Sequence, residues 1–380
     1  MTTILTNARL ILQNEIIDGT LAFDATGLRS IDHGRSSLPA AIDAEGDFVA
    51  PGLIEMHTDN LEKHYIPRPG VVWPNALAAA LAHDAQMAAA GVTTVYDALC
   101  AGYERGTKVS RAETFLKLFR AIEEGVDTRL FRIDHKLHLR CELSGADLVA
   151  TVEPHIENPL VRLASLMDHT PGQRQWRDFA SFKTYSMGSS GMSEAEFEAH
   201  VKHRVATGSG NAARNWPVIA EMFRSCGVPL ATHDDTTVEH VEAGLASGVV
   251  ISEFPTTIEA ATGAKQRGLA TVAGAPNVVR GGSHSGGVSV TVLAERNVLD
   301  GLSSDYVPSS LLQAVQKLHA ENGIALPAAM GMVTWKIADM LGLADRGRLQ
   351  PGLRADVLRF RFAGMTPVVR GLWSEGRQVL

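Results

Sequence analysis

Residues 51–60 read PGLIEMHTDN, and the chain changes character across them. Before Pro51 it runs in short alternating stretches, TILTNARLIL, GTLAFDATGL and AIDAEGDFVA, punctuated by Gly19, Gly27, Gly34 and Gly46. That pattern predicts a small antiparallel β unit. After Gly52, short apolar runs alternate with longer segments of helical period, which predicts βα units on a parallel sheet. The strand candidates are 53–59, 92–99, 135–143, 160–169, 229–235, 249–254, 269–276 and 299–305. Eight such strands over roughly 290 residues suit a closed (β/α)8 barrel. A doubly wound open sheet is the alternative, but no G-x-G-x-x-G follows an early strand.

The boundaries between elements carry their own signals. Ser110–Glu113, Ser193–Glu196, Thr236–Glu239 and Thr256–Glu259 fit the S/T-x-x-E capping box. Gly91, Gly125 and Gly268 stand where helix ends need a left-handed residue. After a helix expected over 325–341, the tail alternates again in RGRLQPGLRADVLRFRF and MTPVVRGLWSEGRQVL. The fold class is therefore α/β: a (β/α)8 TIM barrel over 51–342, with a small β-sandwich domain formed by both chain ends, 1–50 and 343–380.

Composition narrows the function. Of 380 residues, 35 are Lys or Arg and 42 Asp or Glu, a net charge of −7 that gives no electrostatic footprint for nucleic acid or an anionic membrane. The N-terminus lacks a basic n-region, and the longest apolar tract, 76–95, is broken by His83, Asp84 and Gln86. No targeting or spanning segment is expected. Cys100, Cys141 and Cys226 are too few and too scattered for a disulfide framework, so the expected setting is the cytoplasm. A homo-oligomer is compatible with all of this.

The chemistry-bearing residues gather at the expected strand ends, where a barrel of this kind keeps its active site. They are His57 and Asp59 on strand one, His138, Arg140 and Glu142 on strand three, and Asp168-His169 on strand four. Strand five ends in His233-Asp234-Asp235, strand six in Glu253 and strand eight in Asp305. Imidazoles and carboxylates on converging strand ends are what a divalent metal centre needs. Residues 280–287, RGGSHSGG, suggest backbone N–H groups open to phosphate, or equally a turn that needs glycine. Arg280 and His284 favour the anion reading, and Arg68 in the 67–70 turn would face the same rim. Lys183 in SFKTYS is a further, weaker candidate. His83-Asp84 reads as surface or as support for the site, and His200 and His203 as exposed.

PGLIEMHTDN and the tail GRLQPGLRADVLRF, at opposite ends of the chain, resemble the amidohydrolase superfamily of metal-dependent hydrolases. HTDNLEKH, PRPGVVW, RCE, THDD, SEFPTT and GGSHSGG resemble one branch of it, the diphosphatases of the carbon–phosphorus lyase pathway. The chain departs from the superfamily's common pattern in three places. It has His57-x-Asp59 instead of His-x-His, Asp168-His169 where a lysine is common, and Glu253 where a histidine is usual.

The resemblance implies a phosphorylated ribose substrate, ribose 1-methylphosphonate 5-triphosphate, hydrolysed with release of pyrophosphate. Taken with the strand ends, it makes His57, Asp59, Glu142, His169, His233, Glu253 and Asp305 the candidate metal ligands. One or two divalent ions per subunit, Zn, Mn or Mg, are expected. Asp305 and His233 are the catalytic candidates, and Arg68, Arg140, Lys183, Arg280 and His284 the substrate contacts. A C–N hydrolase and a non-catalytic scaffold are the alternatives.

Overall fold

The computed structural model describes residues 2–102, 110–174, 183, 193–283 and 286–380, without the side chains of His200 and His203. The expected substrate contact His284 therefore lies outside the described residues. Eight parallel strands, β6 (Leu53–Thr58), β7 (Val92–Ala101), β8 (Asp134–Glu142), β9 (Val161–Met167), β10 (Leu230–His233), β11 (Ile251–Glu253), β12 (Ala270–Gly274) and β13 (Gly301–Ser303), pair in sequence order. The ring closes through a parallel bridge between Thr58 and Asp305, with the Asp59 N–H donating to the Asp305 carbonyl at 2.8 Å. Nearly every strand residue is buried, as a sheet covered on both faces requires. Ile54, Met56, Tyr96, Leu163, Ala231, Ile251 and Val272 fill one core, together with Ile337 and Ala338. Helices cover the outside, among them α1 (Asn60–Tyr65), α2 (Ala76–Ala89) and α3 (Arg111–Asp127).

The remaining strands come from both chain ends: β1 (Thr3–Ile11), β2 (Ile16–Asp24), β3 (Gly27–His33), β4 (Ile42–Asp43) and β5 (Phe48–Pro51), then β14 (Val357–Ala363), β15 (Thr366–Ser374) and β16 (Arg377–Gln378). All eight belong to one hydrogen-bonded sheet. Its joint is β5 against β14, antiparallel, where Phe48 and Phe360 stack at 5.5 Å. Leu5, Leu21, Phe23, Val49, Val357 and Trp373 form its own apolar core. Among the described residues no helix is long and apolar enough to cross a membrane.

Some local expectations need correction. The helices after β10 and β11 are capped by Thr237 and Thr257, one residue later than expected, because Thr236 and Thr256 hydroxyls pair with each other at 2.9 Å. Gly125 lies inside α3 and ends nothing; a Cβ there would come within 2.2 Å of the Phe131 ring, so close packing explains the glycine. The helix expected over 325–341 is two short helices, Leu326–Gly331 and Trp335–Met340. His83 and Asp84 are completely buried, which excludes the surface reading.

Candidate functional site

The site begins with a bulge. Between Glu55 and Thr58, β6 advances three residues while β7 advances two, from Val95 to Asp97. Bulges re-aim the side chains that follow them. Here the result is that His57 faces His138, His233 and Phe254, with ring centroids at 4.8, 5.4 and 5.0 Å. The buried Glu55 carboxylate braces the bulge, accepting the His57 N–H at 2.7 Å and the Ser304 N–H at 2.5 Å. It thus ties the first strand to the last. Burial pushes Glu55 up to about 7 despite those bonds.

Two clusters share His233. In the first, Glu253 Oε2 lies 3.2 Å from His57 Nδ1 and 3.5 Å from His233 Nδ1. In the second, Asp234 Oδ2 lies 3.6 Å from His233 Nε2 and 3.6 Å from His169 Nε2. Burial opposes ionisation of Glu253, but the neighbouring His57 outweighs it and holds the carboxyl far below its usual range. His233 is held below its ordinary value by burial. Three buried atoms here, His233 Nδ1, Asp234 Oδ2 and Glu253 Oε1, have no hydrogen-bond partner. Orphaned buried donors and acceptors normally cost about 1–3 kcal/mol each. Imidazole nitrogens and carboxylate oxygens left free and converging are the donor set a divalent cation takes, so these residues fit a metal.

The backbone shows strain at the same place. Asp234, Phe254 and Asp305 take φ of +56°, +53° and +53° directly after or just beyond the ends of β10, β11 and β13. Left-handed backbone in non-glycine residues costs on the order of 1–3 kcal/mol each and clusters at functional sites. At Phe254 the turn brings the ring over His57 and His233.

The expected residues divide by what they touch. Glu142 is buried and already engaged: it accepts from Ser144 Oγ at 2.6 Å and pairs with His169 Nδ1 at 2.6 Å. It therefore anchors His169, and the pair holds Glu142 down at about 2 and His169 up at about 10, against the burial of each. Asp59 ion-pairs with Arg140 and lies 4.0 Å from His57 Nε2. It caps α1 by position only, because its carboxylate is turned to Arg140 instead of the helix amides. Asp305 sits at the barrel seam, pushed up to about 6 by burial and by the charge of Asp59. Arg68 and Arg280 are exposed, and Lys183 pairs with Glu194 at the surface. The N–H groups of Gly281 and Gly282 close the helix Ala275–Arg280, bonding Val278 and Asn277 carbonyls at 3.2 and 3.0 Å.

Several contributors have no role assigned to them by the sequence. Asp234 stands inside His233-Asp234-Asp235, where only the histidine was weighed. His138 donates from Nδ1 to the Met56 carbonyl at 3.0 Å and accepts from Ser165 Oγ at 3.0 Å, and burial drives it down to about 3, so it supports His57 as a neutral ring. Lys63 donates to the Tyr306 carbonyl at 2.6 Å beside Asp59 and Asp305. Arg111 forks onto both Glu62 oxygens at 2.7 Å. Buried Arg174 donates to the His233 carbonyl and to Asp235, both at 2.7 Å. Asp234 beside His233 apart, these depend on contacts 27 or more residues apart, or on a loop cation that no local pattern marks.

Solved structures share this architecture at low sequence identity. An amidohydrolase superposes with a TM-score of 0.65 at 15% identity, covering 100% of this chain and 99% of that one. N-isopropylammelide isopropylaminohydrolase from Burkholderia multivorans ATCC 17616 gives 0.67 at 15%, covering 100% and 98%. N-acetyl-D-glucosamine-6-phosphate deacetylase from Mycobacterium smegmatis gives 0.65 at 16%, covering 100% of both. No protein-family model matches the chain. The likeness to these structures is one of fold, the same barrel joined to a second sheet, at 15–16% identity. In sequence, the chain is 40% identical over 378 residues to alpha-D-ribose 1-methylphosphonate 5-triphosphate diphosphatase of Escherichia coli (strain K12), covering 99% of this chain and 100% of that one. The chain belongs to the family of that diphosphatase.

Proposed function

We propose that the protein is a cytoplasmic hydrolase that cleaves alpha-D-ribose 1-methylphosphonate 5-triphosphate between its α- and β-phosphates, releasing pyrophosphate. The observation that carries this reading is the 40% identity extending over the full length of both chains. His57, His233 and Glu253 would hold one divalent ion, with Asp234 and His169 offering a second position across His233. When bound, such an ion, Zn, Mn or Mg, supplies the Lewis acidity that activates water and neutralises charge on phosphoryl oxygens.

The protein's own groups do the rest. Asp305, with its pKa raised toward neutrality, takes the proton of the attacking water and returns it to the departing phosphate. Asp59, held at about 2 by Arg140 and His57 against its burial, stays an anion and keeps Asp305 basic. His233 orients the attack between the two clusters, and Glu142 fixes the ring of His169. Arg140 and Lys63, with Arg68, Arg280 and Lys183 from the surface and His284 from outside the described residues, would meet the triphosphate with forked or single charged donors.

The test is pyrophosphate release from the triphosphate ester by metal-loaded protein. One pyrophosphate per substrate consumed is the expected result. No pyrophosphate, but turnover of a cyclic amide or an N-acetyl sugar, would replace this reading with a C–N hydrolase.

A further inference from the structure

Outside the site lies a second cluster of ionisable side chains, between the barrel wall and α2. Asp97 points out of β7 toward α2, where His83 Nε2 lies 2.7 Å from its Oδ1. His135 Nδ1 lies 2.7 Å from the other oxygen, Oδ2. His135 Nε2 reaches Asp84 Oδ1 at 3.4 Å, and Asp84 also accepts from Arg132 NH1 at 2.9 Å and the Arg132 N–H at 2.8 Å. At the other end Asn60 Nδ2 donates to His83 Nδ1 at 3.0 Å and to Gln86 Oε1 at 2.8 Å. His83, Asp84, Asp97 and His135 are all essentially inaccessible to water.

The bonding order assigns the protons. Because Asn60 donates to His83 Nδ1, that nitrogen is unprotonated, and Nε2–H donates to Asp97. His135 donates to carboxylates from both nitrogens and is an imidazolium. Two carboxylates are thus balanced by His135 and Arg132, with His83 neutral, so no buried charge lacks a partner. The group differs from the catalytic clusters in one decisive respect. Both nitrogens of each imidazole and both oxygens of each carboxylate are partnered, whereas His233 Nδ1, Asp234 Oδ2 and Glu253 Oε1 are not. Its contacts of 2.7 Å are also hydrogen-bond lengths, shorter than the roughly 3.3 Å between ligand atoms around a tetrahedral zinc. It is proton-bridged, and no ion is missing from it.

We propose that Arg132–Asp84–His135–Asp97–His83–Asn60 is a positioning relay for the active site, fixing the start of α1 and with it Asp59 and Lys63. Asp59 gives α1 no side-chain cap. The Asn60 amide bonded into α2 takes over that anchoring, so the rigidity of the barrel wall reaches the residue next to Asp59. A displacement of about 1 Å at a reacting centre can cost on the order of a hundredfold in rate. The inference rests on the hydrolytic reading for its kinetic consequence, but not for its structural one.

Asn60→Ala is the first test, since it leaves the His–Asp–His pairing intact. Amides 60–65 are expected to exchange with solvent about tenfold or more faster than in wild type, as local opening becomes easier. kcat for pyrophosphate release is expected to fall about 10- to 100-fold with metal content retained, and KM to rise by less than kcat falls, through Lys63 alone. His83→Leu should reproduce the kinetic loss, and His83→Gln, with one acceptor and one donor, should restore most of it. Unchanged exchange in α1, or loosened α1 with wild-type kcat, overturns the relay. Wild-type protein that releases no pyrophosphate sinks the functional reading instead, while the exchange experiment still decides whether Asn60 anchors α1.

Discussion

Asp59 and Asp305 meet at the seam of the barrel, the amide of one bonded to the carbonyl of the other at 2.8 Å, and their carboxyls are driven apart in acidity. Asp59 is kept ionised by Arg140 and His57, whereas burial and the nearby Asp59 charge raise Asp305 to about 6. Two carboxyls with opposed tendencies in one site are the usual arrangement for dividing charge stabilisation from proton transfer.

If Asp305 moves the proton, Asp305→Asn should lower kcat by about 10²–10⁴ while leaving the fold intact. Steady-state kinetics with circular dichroism as the folding control decides this. A variant that retains nearly wild-type kcat would pass the role to Asp168.

Glu253→Gln tests the ion site directly. Its Oε2 is the atom shared between His57 and His233, and its Oε1 has no partner. Chelated wild-type protein should gain about 2.7 kcal/mol of stability when a bound divalent ion is supplied at a hundred times its Kd. The Gln variant should show little of that gain, and elemental analysis should find its metal content reduced. Equal stabilisation of both proteins would place the ion elsewhere.

What the sequence disclosed and what it hid follow from distance along the chain. The barrel was legible because each βα unit carries its own period and punctuation. His57, His233 and Glu253 were legible because a barrel collects its site at strand ends. Of the two readings of His83 and Asp84 the surface one failed, because their partners, Asp97 and His135, lie on neighbouring strands 14 or more residues away, and nothing local marks a buried polar pair on an Ala-rich helix. Capping at Thr237 and Thr257 was missed by one residue, since Thr236 and Thr256 are used to tie two loops together. The glycines at 281 and 282 suited a phosphate loop and a tight turn equally in the sequence, and their two amides are taken up closing the helix 275–280.

The relay predicts a pH dependence of stability with a definite sign. His135 is raised from 6.5 to about 9: burial disfavours its charge, but Asp97 and Asp84 outweigh burial. A group whose pKa is higher folded than unfolded contributes its full stability below the unfolded value, and that contribution is lost as pH rises through the folded one. Urea stability of the wild type should therefore decline between about pH 6.5 and 9. The wild-type minus His135→Gln difference should shrink over the same interval. A difference independent of pH would show that His135 is not charged in the folded protein.

Arg174→Met should be among the most damaging single changes away from the catalytic groups. Arg174 is buried, and one of its nitrogens holds both the His233 carbonyl and Asp235. Asp235 is fully buried and has two hydroxyl partners besides, Thr232 at 2.5 Å and Ser252 at 2.7 Å, which share its other oxygen but supply no positive charge. Removing the guanidinium strands that charge, a change that costs about 3–5 kcal/mol when a buried pair is broken from one side. Arg174→Met with Asp235→Asn removes the charge as well and should recover much of the loss. Urea denaturation of the two single variants and the double variant gives the coupling between them. A single-variant loss below about 1 kcal/mol, the range of exposed ion pairs, would mean that water reaches Asp235 and that His233 is oriented by something else.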